Sequence, residues 1–338
     1  MSAQSKTILS LFCGCGGLDL GFENAGFLTG LAYDRREDAV SSWNRNRSTK
    51  VARTFDVRDL NLAQLDGHYG SEFSPVGVIG GPPCQGFSRA NRNGSEHDPR
   101  NQLVNEFFSL ALDLDERSPL SFIVMENVPS IEGSRGGGKL SAISHSLQNR
   151  GFSVRQMVLD AANFGVAQHR RRLFLIALKK RDDLEPNWQD PIECAGLRTV
   201  RDEIGDLPEP LFFRRGSSSE KKPGHENHWC MSPKSAKFSD GTLREGYTDR
   251  RSFKTLWWDQ PSYTVSYGNR EVHIHPSAQR RLSVYEGMRL QGFPHDFVLN
   301  GTMSSQITQV SEAVPPPLAF AVADSVRRTI AASQCAPA

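Results

Sequence analysis

Four short stretches of this chain carry residue types suited to covalent or recognition chemistry. GGPPCQGFS (80–88) holds Cys84 directly after two prolines. Proline fixes φ, so the cysteine follows a stiffened backbone, and a thiolate with access and a fixed aim is a nucleophile. ENVP (126–129) places Glu126 after the apolar run FIVM. Desolvation there raises a carboxyl pKa, so the group can stay protonated and donate to a ring nitrogen. In QHRRRLFLIA (168–177), strand alternation sends Arg170 and Arg172 to one face and Arg171 to the other. Two guanidiniums on one face can clamp a phosphate or polarise a carbonyl oxygen. FCGCGG (12–17) is a Gly-rich turn that lets backbone approach a nucleotide-like ligand, with Asp34, 20 residues after Gly14, placed to accept from ribose hydroxyls. Asp19 stands where a third dinucleotide-binding glycine would be, which argues against a nicotinamide dehydrogenase. Taken singly, each stretch also has an ordinary reading: a tight turn, a loop cysteine, a solvated glutamate, a basic edge strand. Cys13 and Cys15 have no CxxC or HxxH partner nearby and read as small turn residues.

The elements that must position these groups alternate in type. Strand patterns at 7–12, 28–33, 54–57, 76–79, 120–125, 152–159 and 173–178 are interleaved with helical patterns at 18–25, 36–46, 104–114 and 140–150. Such alternation predicts an α/β fold: a Rossmann-like, mainly parallel sheet with helices on both faces and chemistry at the strand ends. From about 181 to 279 the chain is loop-rich, and helices follow at 283–291 and 318–330. The tryptophan pair Trp257 and Trp258 reads as core, and Leu290 and Phe293 as packing for the helix that joins two lobes.

Composition bounds the rest. The chain has 338 residues, enough for one large domain and a smaller one, with 38% hydrophobic and 23% charged residues, which excludes a disordered or collagen-like protein. The leading sequence is too short in apolar residues for a signal peptide, no run suits a membrane span, and six cysteines without framework spacing suggest a reducing, cytoplasmic location. Net charge is only +2, but residues 211–281 hold 13 Lys+Arg against 7 Asp+Glu, so this stretch is +6 and the remainder −4. That split marks a second, basic domain.

In combination these blocks resemble the cytosine-C5 DNA methyltransferases, through FCGCGG, GGPPCQGFS, ENVPS, QHRRRLFLIA, RRLSVYEGMRLQGFPHDF (280–297) and, less well, QVSEAVPP (309–316), in the family's order. The resemblance implies a class I methyltransferase fold over 1–182, completed by 306–338, with a loop-rich target-recognition domain at 183–305. It implies S-adenosylmethionine as methyl donor, held by Phe12, Gly14, Gly16, Asp34 (ribose), Asp56 (adenine amino group), Val57, Pro83 and Leu103. Cys84 would attack cytosine C6, Glu126 would hold the base's N3 and amino group, and Arg170 would meet its O2 with Arg172 in support. The cytosine would be flipped out of duplex DNA. Two positions depart from the pattern. Arg35 stands where an aromatic often follows the ribose-binding acid, and Glu312 replaces an asparagine near the cofactor, with a backbone amide or basic group as its expected partner.

Candidate DNA contacts are Ser88, Arg214, Arg215, Lys221, Lys222, Lys234, Lys237, Arg250, Arg251 and Lys254. His225, His228, Cys230 and Cys194 fit no standard zinc finger, and no metal is expected. The expected partners are double-stranded DNA and, functionally, a cognate restriction endonuclease or defence system, with the enzyme a monomer free of membranes. An RNA (tRNA) cytosine methyltransferase of the same fold and a catalytically silent DNA-binding relative are the alternatives.

Overall fold

The computed structural model describes residues 6–83, 102–132, 137–213, 220–249, 253–264 and 273–334. Seven strands form the main sheet: β1 (Thr7–Leu11), β2 (Leu28–Asp34), β3 (Ala52–Thr54), β4 (Gly77–Gly80), β5 (Phe122–Asn127), β6 (Phe152–Asp160) and β7 (Arg171–Lys179). Their spatial order is β3-β2-β1-β4-β5-β7-β6. Neighbours among the first five run parallel, while β7 is antiparallel to both β5 and β6.

Both faces of this sheet are covered, as the apolar runs require. Leu9, Val78, Ile123 and Met125 point to one side, where they meet Phe107, Phe108 and Leu114 of α4 (Gln102–Arg117) and Leu65 of α3 (Leu62–Tyr69). Their neighbours Ile8, Ile79, Phe122 and Val124 point to the other, against Phe22 of α1 (Gly17–Asn24) and Leu318, Val322 and Val326 of α9 (Pro316–Gln334). Around the rim, α2 (Glu37–Arg45) packs Trp43 and Val40 against Ala32 and Cys13, and α5 (Gly137–Asn149) follows β5.

The loop-rich stretch holds a short α6 (Val200–Ile204), a two-stranded sheet of β8 (Leu211–Phe213) and β9 (Trp229–Met231), and a three-stranded sheet of β10 (Thr248–Asp249), β11 (Phe253–Thr255) and β12 (His273–Ile274). Then come α7 (Val284–Leu290) and α8 (Met303–Glu312). One apolar cluster ties these parts to the sheet: Trp229, Leu256, Leu282, Met288, Leu290, Phe293 and Val310 pack together with Cys15. Leu290 and Phe293 therefore pack as expected. Trp257 does not: its side chain lies over Gly246 and remains 43% exposed. Among the described residues no helix is long and apolar enough to cross a membrane.

One strand ends earlier than expected, and one alternative reading drops out. The strand expected at 54–57 ends at Thr54, because the Asp56 carboxylate accepts from the Arg58 amide and turns the chain into a helical turn, Val57–Asp59. The expected edge-strand alternative for QHRRR fails, since β7 lies between β5 and β6.

Candidate active site

β1 pairs with β2 on one side and β4 on the other, so chain order reverses beside it. Open α/β sheets bind ligands outside such a switch point. A cavity of about 680 Å³ lies there, within the usual range for small-molecule sites. Of the residues expected to bind the cofactor, Phe12, Gly14, Asp34, Asp56, Val57, Pro83 and Leu103 line it, and Glu126 and Arg172 join them.

The Gly-rich turn is shaped by left-handed backbone at Phe12 (φ 55°) and Gly14 (φ 54°). Hydrogen bonds hold it: Cys13 N donates to the Tyr33 carbonyl at 3.0 Å and Gly16 N to the Cys13 carbonyl at 2.9 Å. The Asp34 carboxylate accepts from the amides of Gly14 and Arg36, each at 2.9 Å. Gly17 must be glycine for a packing reason, since a Cβ there would lie 2.3 Å from the Val314 carbonyl oxygen. Gly16, also expected in the cofactor set, is placed differently from its neighbours. It does not line the cavity, and its open side faces Trp43 and Arg47, where a Cβ would meet side-chain atoms at 2.6 and 2.8 Å. Asp19 is fully buried and accepts from the Trp43 indole at 3.0 Å, and burial pushes its carboxyl up to about 6.

Phe55 is a lining residue that the sequence reading missed. It packs edge-on to Tyr33 and supplies the aromatic wall that Arg35 does not. The clue was its place between a strand and the acidic Asp56. Asp56 itself is gripped by Arg58, Nε to Oδ1 at 3.0 Å, which holds its carboxyl below the usual range.

At the other end of the cavity, Glu126 is only 8% exposed. Arg172 Nε lies 2.8 Å from its Oε1. Burial raises the Glu126 pKa, and the charges of Arg172 and Arg170 offset only part of that rise. Asn127, the next residue, donates from Nδ2 to the Pro82 carbonyl at 3.0 Å, so the ENV segment holds the stiff backbone that leads towards Cys84. Cys84 and Ser88 lie outside the described residues.

The two arginines face different ways. Arg170 is fully buried and absent from the cavity wall; its Nη2 donates to the Ser311 carbonyl at 2.6 Å, and burial lowers its pKa. Arg172 is the one that opens onto the cavity beside Glu126. The cause is that Arg170 lies just before β7, where the chain is anchored by its own amide to Asp160 at 2.8 Å and turned inward against α8. Glu312, at the end of α8, meets a basic group: Arg36 Nη1 is 2.9 Å from its Oε2.

Cys13 and Cys15 are buried packing residues. Burial raises both thiols, Cys15 up to about 12, which removes them as nucleophiles. His225 stacks on Tyr285, while His228 lies between Ser283 Oγ and the Pro208 carbonyl. No group of metal-binding side chains occurs among the described residues. Of the basic candidates, Lys234 is exposed, Lys254 lies over Tyr263, Lys222 lies over Trp229, and Lys237 is bound to Asp249 at 2.9 Å. Arg214, Arg215, Arg250 and Arg251 lie outside the described residues.

A sheet of this order with an antiparallel seventh strand, and a Gly-rich turn facing an acidic strand end, defines a class I methyltransferase fold. A family model for C-5 cytosine-specific DNA methylases matches residues 6–328, and the chain belongs to that family. It is 31% identical to the type II methyltransferase M.MthTI of Methanothermobacter thermautotrophicus, covering 97% of this chain and 98% of that one. It is 33% identical to the type II methyltransferase M1.HphI of Haemophilus parahaemolyticus, covering 96% and 87%. In fold it matches an E. coli structure described as a prophage-encoded DNA modification methyltransferase (TM-score 0.80, 23% identity, 96% and 99% coverage). It also matches the S. pombe Dnmt2 methyltransferase (TM-score 0.66, 18% identity, 95% and 98% coverage). The protein is an enzyme, a DNA cytosine-5-methyltransferase.

Proposed function

We propose that this enzyme methylates C5 of a cytosine flipped out of duplex DNA, with S-adenosylmethionine as donor and Cys84 as nucleophile. The observation that carries this reading is the buried Glu126–Arg172 pair opening onto the same cavity as the Gly-rich turn. The cavity fits the donor. Asp34 keeps acceptor capacity beyond its two amide partners for ribose hydroxyls, and Phe55, Val57 and Leu103 offer apolar walls for a purine. When bound, the donor supplies a methyl group activated by its sulfonium.

The chain's own residues do the rest. Cytosine C5 is a weak nucleophile, and addition of the Cys84 thiolate to C6 makes C5 enamine-like. Charge that this addition places on the ring is met by Glu126 at N3 and the amino group. The Arg172 guanidinium, beside Glu126, serves the base O2, and Arg170 acts behind it by fixing the end of α8. After methylation the C5 proton leaves to a base or water, and elimination re-forms the C5–C6 double bond and frees Cys84.

Residues 183–305 are proposed as the DNA-reading domain, on the strength of the basic stretch at 211–281 within them and their small sheets. A cytoplasmic monomer acting alongside a restriction endonuclease completes the proposal. Incubation with labelled S-adenosylmethionine and either duplex DNA or tRNA tests the substrate. Label in DNA 5-methylcytosine is expected, and label confined to tRNA would refute it.

A further inference from the structure

One wall of the cavity has an arrangement that neither the family's methyl-transfer chemistry nor the reading of the reacting end uses. Arg36 sits between two carboxylates. Its Nη1 is 2.9 Å from Glu312 Oε2 and its Nε 3.6 Å from Asp34 Oδ1. All three side chains line the cavity, and the guanidinium lies against the Gly14 backbone, 3.9 Å from where a Cβ would be. Half of the Glu312 side chain is open and the residue lines the cavity, so its carboxylate is accessible to a ligand.

We propose that the Arg36–Glu312 pair is the receptor for the amino-acid end of the methyl donor, with Glu312 taking the α-ammonium and Arg36 the α-carboxylate. This rests on the S-adenosylmethionine reading of the cavity. An α-amino acid group is a zwitterion whose two charges lie a few ångströms apart. Laid antiparallel to an ion pair, it brings each charge against its opposite without breaking the pair.

The local charge count agrees. Two carboxylates flank the Arg36 guanidinium, so an ammonium laid against Glu312 meets a carboxylate already oriented by its partner. Burial and the neighbouring Asp34 both push the Glu312 pKa up, while Arg36 opposes them without prevailing. A second cation at this point would relieve the same strain. Arg36, for its part, is held charged by Glu312 and Asp34 against the effect of burial. The α8 segment that carries Glu312 is itself anchored, through the Ser311 carbonyl, to Arg170. Glu312 thus lies next in sequence to the carbonyl that holds Arg170.

The test is binding, measured by calorimetry on the full chain without DNA. The ligands are S-adenosylhomocysteine, its des-amino and decarboxylated analogues, and 5′-methylthioadenosine, which lacks the amino-acid end. Glu312→Gln should weaken S-adenosylhomocysteine about tenfold, as expected for one charge-assisted contact in a half-open site. It should leave methylthioadenosine and the des-amino analogue unchanged. Arg36→Gln should show the complementary pattern, with its selective loss abolished for the decarboxylated analogue. Equal effects on all ligands, or tighter binding of S-adenosylhomocysteine by Glu312→Gln, would overturn the inference while leaving the donor assignment standing. Failure of the wild type to bind any of these nucleosides would overturn the donor assignment, and the inference with it.

Discussion

Replacing Glu126 by glutamine separates what this carboxyl does for the fold from what it does for the reaction. The amide keeps the shape and can still accept from Arg172 Nε, now 2.8 Å from Oε1. What it loses is the charge and the proton. In the folded enzyme burial raises the Glu126 pKa, and Arg172 and Arg170 only partly compensate. A carboxyl whose folded pKa lies above its unfolded value binds its proton more tightly when folded. Its ionisation therefore costs stability as pH rises through the unfolded and then the folded pKa. The cost levels off above the folded value, at about 1.4 kcal/mol for each unit between the two. Glu126→Gln escapes this cost. It should match the wild type in stability at acid pH and equal or exceed it near and above neutrality. Catalysis should move the other way. Loss of a donor and charge partner aimed at the developing charge costs roughly 10²–10³ in kcat, or about 3–4 kcal/mol. The assays are denaturant melts across pH and single-turnover methylation with saturating donor. A variant that melts with a loss of about 3 kcal/mol or more at neutral pH, or that turns over at the wild-type rate, would refute the reasoning.

Further outcomes follow from the same geometry. Arg170→Ala should cost about 3–5 kcal/mol of stability, because it removes a fully buried guanidinium and strands the Ser311 carbonyl. Arg172→Lys should leave the melt within about 1 kcal/mol of the wild type and lower kcat instead, since only a planar fork suits both Glu126 and a base oxygen. Equal melts for the two variants would contradict their different placements. Gly17→Ala should lose at least about 2 kcal/mol, as its methyl would meet the Val314 carbonyl oxygen at 2.3 Å, and an undiminished melt would show that the 313–314 turn can move.

Much of this site was legible in the chain. Short apolar runs ending in Gly, Asp or Glu marked the strands and the rim, because a strand buried on both faces must be apolar up to the residue that leaves the sheet. Asp34 and Glu126 were found in that way. The facing of Gly16 and Arg170 was not legible for one reason: spacing along a strand or turn tells which residues are near a ligand, while tertiary neighbours decide which way they face. Gly16 adopts φ 92° and faces Trp43 and Arg47, both of which call for glycine. Arg170 turns inward because Ser311, 141 residues away, offers a carbonyl. α3 and α8 were missed because their starts are written in polar side chains, the Asn61–Gln64 capping box and the Thr302 cap. Phe55 and Arg36 gained a role only when separate strand ends and the end of α8 met around one cavity.

The central claim, a covalent Cys84 mechanism on DNA cytosine, is tested most directly with duplex DNA carrying 5-fluorocytosine. Fluorine at C5 cannot leave as a proton does, so after methyl transfer the elimination step is blocked and the adduct persists. The account predicts a denaturation-stable enzyme–DNA complex that needs S-adenosylmethionine, maps to Cys84 by peptide mass, and is absent in Cys84→Ala. No complex with the wild type on substrate DNA that it methylates when unfluorinated, or a complex that survives Cys84→Ala, would contradict it.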